Sequence, residues 1–213
     1  MTLYGYWRST SSHRLRIALA LKGLQPEQVP VDLVRNGGEH LRPEFLVVNP
    51  QGRVPALKIS DGTVLIQSPA IIEYLEECYP DPPLLPSAIA PRARVRAVAA
   101  ILACDIHPLH NSGPLNHLRT RLGASESDVR EWAARWITDG LHAVEALIDE
   151  DGFCFGSQPN LADVYLVPQM LAANRFSVPL EAFPKVVRAT TLASTHPAFV
   201  AAHPSRQPDA EQV

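Results

Sequence analysis

Cysteine is scarce in this chain. The three thiols, Cys78, Cys104 and Cys154, lie far apart and none belongs to a CxxC pair. That pattern excludes a disulfide framework and a redox dithiol, and it suits the reducing cytoplasm, where the protein is expected to reside. Long apolar runs are missing too. None approaches the roughly 20 residues of a membrane span, and the opening MTLYGYWRS has neither the basic start nor the apolar core of a secretory signal. Charge of one sign is not in surplus: the net value is -3, so neither nucleic acid nor an anionic membrane surface is an expected partner. Several chemical signatures are also absent. There is no GxGxxG, no P-loop and no GxSxG, and the eight histidines form no HxxxH or HExxH arrangement, so no metal is expected.

What is present divides the chain by texture. With 213 residues, 46% of them hydrophobic, it can fill one large core or two small ones. Residues 1–80 alternate short apolar runs with helical patterns. TLYGY predicts a strand, and SHRLRIALALKG predicts a helix that starts near Ser11 or Ser12 and stops at Gly23. EQVPVDL predicts a second strand, which Pro30 confines to an edge or bulge. RPEFLVVNP reads as a short helix or turn. VPALKI and TVLIQ predict a hairpin around Asp61-Gly62. SPAIIEYLEECYP predicts a helix with Ser68 as its cap and Pro69 in its first position.

PDPPLLPSAIAP, residues 80–91, has too much proline for a regular helix and reads as a linker, taken as 81–91. Residues 92–213 read as helical. Arg92 to Leu122 predicts one long helix kinked at Pro108. Val129, Trp132, Ala133, Trp136, Ile137, Gly140, Leu141, Val144, Leu147 and Ile148 recur at three- and four-residue steps, the buried stripe of another. In PNLADV, Asn160 and Asp163 are placed as cap and third residue of a helix, a capping box of structural rather than catalytic use. HPSRQPDAEQV reads as a loose tail.

Three polar groupings interrupt this scaffold. The first is RSTSS, Arg8 to Ser12, at the tip of the first strand–helix turn. The unpaired N–H groups of a helix start, together with hydroxyl donors, favour an anion and lower the pKa of a thiol placed there. The chain has no cysteine at that point, so such a thiol must arrive on a ligand. The second is NPQGRVPAL. A cis Val54-Pro55 bond would present the Val54 N–H and C=O to a peptide-like ligand, whereas a trans bond would simply start an edge strand. The third is QSPAI, where Gln67 and Ser68 either serve a helix cap or face a carboxylate. A ligand with a carboxylate, a peptide backbone and a sulfur would use all three, and glutathione has each of these.

RSTSSHRLRIALALKG, NPQGRVPAL and QSPAIIEYLEE together resemble the zeta class of glutathione transferases, in that order and over nearly the whole chain. Ser11 stands where that class usually has cysteine, and His13 where it has tryptophan. CDIHPLHN, Cys104 to Asn111, is similar to the maleylpyruvate isomerase branch, but Ser112 and Gly113 occupy the places of that branch's arginines. The resemblance implies an α/β thioredoxin-like N-terminal domain followed by an all-α C-terminal domain, assembled as a homodimer. It implies a glutathione-dependent cis–trans isomerase of maleylacetoacetate-type ring-cleavage products in aromatic catabolism. Isomerisation of maleylpyruvate, or general conjugation or dehalogenation of small electrophiles, are the alternatives.

The resemblance also implies residue roles. Ser9 is the donor to the thiolate, with Thr10 and Ser11 in support. Gln67 and Ser68 hold the γ-glutamyl carboxylate, and Val54, with Pro55, holds the cysteinyl backbone. His40, Gln51 and His107 lie at the glycyl end or beside the sulfur, and Asn111 reaches the site from this subunit or a partner. Arg8 and Arg175 are candidate clamps for the carboxylates of a dicarboxylate substrate, and a solvated role for Arg175 stays open.

Overall fold

Strand β1, Thr2–Gly5, alternates its side chains so that Leu3 is buried beneath the sheet. It pairs in parallel with β2, Glu27–Pro30, and antiparallel with β3, Ala56–Lys58, which in turn pairs antiparallel with β4, Val64–Ile66. The order is β2-β1-β3-β4. Proline 30 therefore lies on an edge strand, as its missing N–H requires. The β3–β4 connection turns at Gly62, whose φ of +90° suits a residue without Cβ, while Asp61 accepts a hydrogen bond from the Thr63 N–H at 2.8 Å.

The computed structural model describes residues 1–210, apart from the Asn36 side chain. It divides into two compact units, one made of Met1–Pro83 with the chain from His196 onward, the other of Leu84–Thr195. In the first, helix α1, Thr10–Leu21, packs against α3, Ser68–Cys78, and α9, Pro197–Ala202. Flanked in this way, α1 is buried almost all round, from Ser12 to Leu19. It ends at Lys22, with Gly23 at φ +68° as the residue that leaves the helix. The short helix α2 is Pro43–Leu46.

Three local expectations shift here. Helix α1 starts at Thr10 rather than at Ser11 or Ser12, because the Ser9 hydroxyl accepts from the Ser12 N–H at 3.2 Å and takes the cap. The cap of α3 is Gln67, not Ser68, and Pro69 is the second helical residue. The stretch from His203 to Ala210 is no loose tail, while residues 211–213 of that expected tail lie outside the described residues. It turns through Pro204–Arg206, and the buried Gln207 side chain donates to the Ala201 and His203 carbonyls. Its contacts, with those of α9, belong to the first unit rather than to the helical region 92–213.

In the second unit, α4, Ile89–Ala100, begins inside the proline-rich segment. Proline 91 is tolerated because first-turn N–H groups have no intrahelical partner. The single long helix expected over 92–122 is broken. Residues Ile101–Ile106 widen into a π-helical turn, His107–His110 tighten into a 3-10 turn, and Asn111 then caps α5, Ser112–Arg121. Proline 108 supplies no N–H and disfavours helical geometry at the residue before it. The stripe on α6, Glu126–Leu147, is buried at Val129, Ala133, Ile137, Leu141 and Val144, with Ile148 buried just beyond. Trp132 and Leu147 lie at its partly exposed margin. Helix α6 meets the π-helical turn at Gly140, where an added Cβ would overlap the Ile106 side chain.

Helix α7, Leu161–Arg175, is buried over most of its length and packs on α4 and on α8, Pro184–Thr195. Its capping box is formed: Asn160 accepts from the Ala162 N–H at 3.0 Å, and Asp163 accepts from the Asn160 N–H at 2.9 Å. The other Asp163 oxygen accepts from the Cys154 N–H at 2.8 Å. Burial pushes the Asp163 carboxyl up to about 6, against the pull of those two N–H groups.

Two substitutions test this framework. Asp163→Ala leaves two buried N–H groups without an acceptor and is expected to cost about 3 kcal/mol, read as a lower urea midpoint. Gly140→Ala forces α6 off Ile106 and is expected to cost roughly 1–3 kcal/mol by the same measurement. An unchanged midpoint in either variant contradicts the contact assigned to it.

Candidate functional site

The turn between β1 and α1 is held at nearly every backbone group. The Tyr6 N–H donates to Ser12 Oγ at 3.4 Å, and the Tyr6 carbonyl accepts from the Ser9 N–H at 3.1 Å and from Arg16 Nη1 at 3.4 Å. The Trp7 N–H donates to Asp209 Oδ2 at 2.9 Å, and its carbonyl accepts from Arg16 Nη2 at 3.1 Å. From this turn the hydroxyls form a chain. Ser9 Oγ and Ser11 Oγ lie 3.2 Å apart, and Ser11 Oγ donates to the Val54 carbonyl at 3.0 Å. A hydroxyl has one proton. Ser11 has spent its proton on Val54, so the Ser9 proton is the one that can turn to an incoming anion. Thr10 is buried in the first turn.

No acidic residue lies in the first turn of α1. The site is thus a helix N-terminus with hydroxyl donors and no acid in its own first turn, and the nearby Asp209 carboxylate faces the Arg16 guanidinium, a donor set that fits a thiolate.

The other predicted residues of the first unit gather on neighbouring segments. The Val54-Pro55 bond is cis. The Val54 carbonyl, already joined to Ser11, keeps a second lone pair for a peptide N–H. Gln67 Nε2 donates to Gln51 Oε1 at 2.6 Å, which brings those two amides together. Gln67 has φ +69° and ψ 110°, a conformation non-glycine residues seldom adopt, immediately before α3. Ser68 is buried, and its hydroxyl accepts from Arg14 Nη1 at 3.1 Å, which leaves its own proton for a carboxylate. His40 packs over Gly38, burial lowers its pKa, and its Nδ1 is buried with no hydrogen-bond partner among the described residues. Arg8 is exposed, with its guanidinium 5.5 Å from the Trp7 ring centre.

Three predicted residues lie in the second unit. His107 opens the 3-10 turn, 5.4 Å ring to ring from His110, which pairs with the buried Gln169. Asn111 uses its side-chain oxygen to cap α5, accepting from the Ser112 N–H at 2.8 Å. Arg175 is the last residue of α7.

No local spacing in the sequence assigns a role to Arg14 or Arg16. Both are buried. Arg14 orients Ser68, and Arg16 organises the serine turn. Burial lowers the Arg16 pKa to about 10 while Asp209 opposes the shift, so the guanidinium stays charged at neutral pH. His13, beside it, is held well below the ordinary histidine value by burial first, then by the positive charge of Arg16 and by His203. Asp209 was placed in a tail. The available signal is Arg16 set in a run, Leu15 to Leu21, that is otherwise wholly apolar, which calls for buried partners.

The family model for the glutathione S-transferase N-terminal domain matches residues 8–78. A maleylacetoacetate isomerase of Pseudomonas aeruginosa is 60% identical over 209 residues, which is 98% of each chain. The holo structure of a maleylpyruvate isomerase, described as a bacterial zeta-class glutathione S-transferase, superposes with a TM-score of 0.95 at 48% identity, covering 99% of this chain and 100% of that one. A maleylacetoacetate isomerase of Methylobacterium extorquens with bound malonate and glutathione gives a TM-score of 0.93 at 37% identity, with 100% of both chains covered. With identity of this extent along its full length, the chain belongs to the zeta class of glutathione transferases.

Proposed function

We infer that the protein is a glutathione-dependent maleylacetoacetate isomerase, and one observation carries the reading: the Ser9–Ser11–Val54 hydroxyl chain at the open start of α1. When bound, glutathione supplies a thiolate that adds reversibly to a cis double bond and so lets it rotate. The chain's own residues do the rest. Ser9 turns its one free proton toward the sulfur, and the α1 N-terminus adds its partial positive charge. Ser11 holds the Val54 backbone in place, and Thr10 fills the first turn behind them.

Gln67 and Ser68 take the γ-glutamyl carboxylate at the start of α3, with Arg14 fixing the Ser68 hydroxyl. Val54 and Pro55 receive the cysteinyl backbone, and Gln51 and His40 lie toward the glycyl end. Arg8 is the exposed guanidinium for a substrate carboxylate. In the second unit Arg175 is the second such guanidinium and His107 the imidazole, while Asn111 serves α5 first. Serine and glycine at positions 112 and 113 favour maleylacetoacetate over maleylpyruvate. Val34, Leu41 and Val47, exposed apolar side chains of the first unit, support a second copy as partner. The unpaired cysteines support a reducing compartment such as the cytoplasm. Among the described residues no helix is long and apolar enough to cross a membrane, and no group of three metal-ligating side chains occurs.

The direct test is an absorbance assay of maleylacetoacetate and maleylpyruvate, each with and without glutathione. Turnover is expected only with glutathione and faster with maleylacetoacetate. Equal rates without glutathione would remove the reading. The division of labour among the serines has its own signature. Ser9→Ala is expected to lower kcat by about 100-fold or more, as loss of one aimed donor does, with glutathione affinity largely kept. Ser11→Ala is expected to stay within about tenfold of wild type, since its proton serves the backbone rather than the sulfur. A larger loss in Ser11→Ala than in Ser9→Ala would reverse these roles.

A further inference from the structure

We propose that Asp209 and Arg16 are positioning residues for the thiolate site, and that the C-terminal segment from His196 to Ala210 acts as a latch that sets the geometry of the serine turn. The turn Tyr6–Ser9 has few backbone groups left to satisfy itself. Its one internal bond runs from the Ser9 N–H to the Tyr6 carbonyl. The rest of its anchorage comes from outside. Arg16 spreads its guanidinium over two turn carbonyls, of Tyr6 and Trp7, while its Nε donates to the Ala202 carbonyl at the end of α9 at 3.1 Å. Asp209 closes the circuit from the other side by accepting from the Trp7 N–H.

Two anchors thus issue from the C-terminal segment, and both converge on the residue two before Ser9. The segment is itself braced. Gln207 donates to the Ala201 and His203 carbonyls, and Ser205 lies 2.8 Å from His203 Nδ1. Such bracing makes the anchors rigid rather than incidental.

The consequence concerns the direction of one proton. Ser9 caps α1 with its oxygen, so its hydroxyl can rotate only about a fixed Cβ–Oγ bond. Where that bond sits depends on the turn before it. Releasing Trp7 from Asp209 lets the turn shift, and a displacement of well under an ångström weakens a hydrogen bond to a charged sulfur. Neither Asp209 nor Arg16 touches the ligand in this scheme. Both act through Trp7 and Tyr6.

The proposal rests on the glutathione-site reading above, and the test separates the two. Full-length wild type and the variants Asp209→Ala, Asp209→Asn and Asp209→Glu are saturated with glutathione. The bound thiolate is then titrated by its ultraviolet absorbance, alongside kcat, KM and thermal midpoint. In Asp209→Ala the ionisation of bound glutathione is expected to rise by about one pH unit, with kcat/KM at neutral pH falling about tenfold. Asp209→Asn keeps an oxygen acceptor for Trp7 and is expected to restore most of both. Asp209→Glu keeps the charge but displaces the acceptor, and is expected to fall between, so the comparison survives if the alanine variant does not fold. A lowered thermal midpoint with wild-type ionisation and kcat in every folded variant would overturn the latch. Wild-type protein that ionises bound glutathione no more readily than free glutathione in water would overturn the site reading itself.

Discussion

The buried guanidinium of Arg16 is the constraint on which the first unit depends. A charge removed from water is costly unless its donors are met. Here three carbonyls meet them, those of Tyr6, Trp7 and Ala202, with the Asp209 carboxylate close enough to oppose the loss of charge. Those carbonyls come from sequence positions almost two hundred residues apart. A single side chain on α1 therefore fixes both the loop that leads into α1 and the last helix that covers it. An aliphatic residue in its place would fill the volume but take the Arg16 donor from the Trp7 and Ala202 carbonyls and leave the Tyr6 carbonyl with the Ser9 N–H alone. A lysine would supply the charge but not the planar fork of donors.

Around that anchor the chemistry is spread over small groups rather than concentrated in one strong one. No histidine or carboxylate among the described residues is hydrogen-bonded to the serines to strip them of a proton. Their role is to donate, and the ordering of donors follows from counting protons along the hydroxyl chain. The start of α3 is built on the same economy. Ser68 accepts from Arg14, so its proton is directed outward, and Gln67 holds a left-handed backbone with its amide resting on Gln51. Both helix starts expose donors and carry no acid in their first turns.

Much of this was legible in the chain. The strands and the edge position of Pro30 were legible because alternation and a missing N–H are written in the strand itself even though its partners are distant. The hairpin at Gly62 and the capping box at Asn160 and Asp163 were legible because each rests on interactions only a few residues apart. The serine turn and the Val54-Pro55 segment were readable for the same reason. What escaped was long-range. The burial of Arg14 and Arg16 depends on Ser68, Ala202 and the turn carbonyls, and no local period announces it. The cap of α1 moved back to Ser9 because, of four successive hydroxyl residues, only geometry selects one. The π-helical turn at Ile101–Ile106, whose Ile106 lies against Gly140 on a distant helix, falls where the sequence reads as ordinary helix. The C-terminal stretch looked disordered by composition, since proline, serine and aspartate are common in tails. Its order comes from partners at the opposite end of the chain.

That last pairing has a consequence for how the protein is made. A ribosome releases the sheet and the first helices early, but the strip that seats against Arg16 and Trp7 is polymerised only after the whole helical unit. Until then Arg16 lacks the Ala202 carbonyl, and the nascent sheet domain carries an incompletely matched cation beside an uncovered helix. The unit that begins first therefore closes only after the helical unit has been made, and its maturation is gated by synthesis of the segment from His196 rather than by its own first 83 residues.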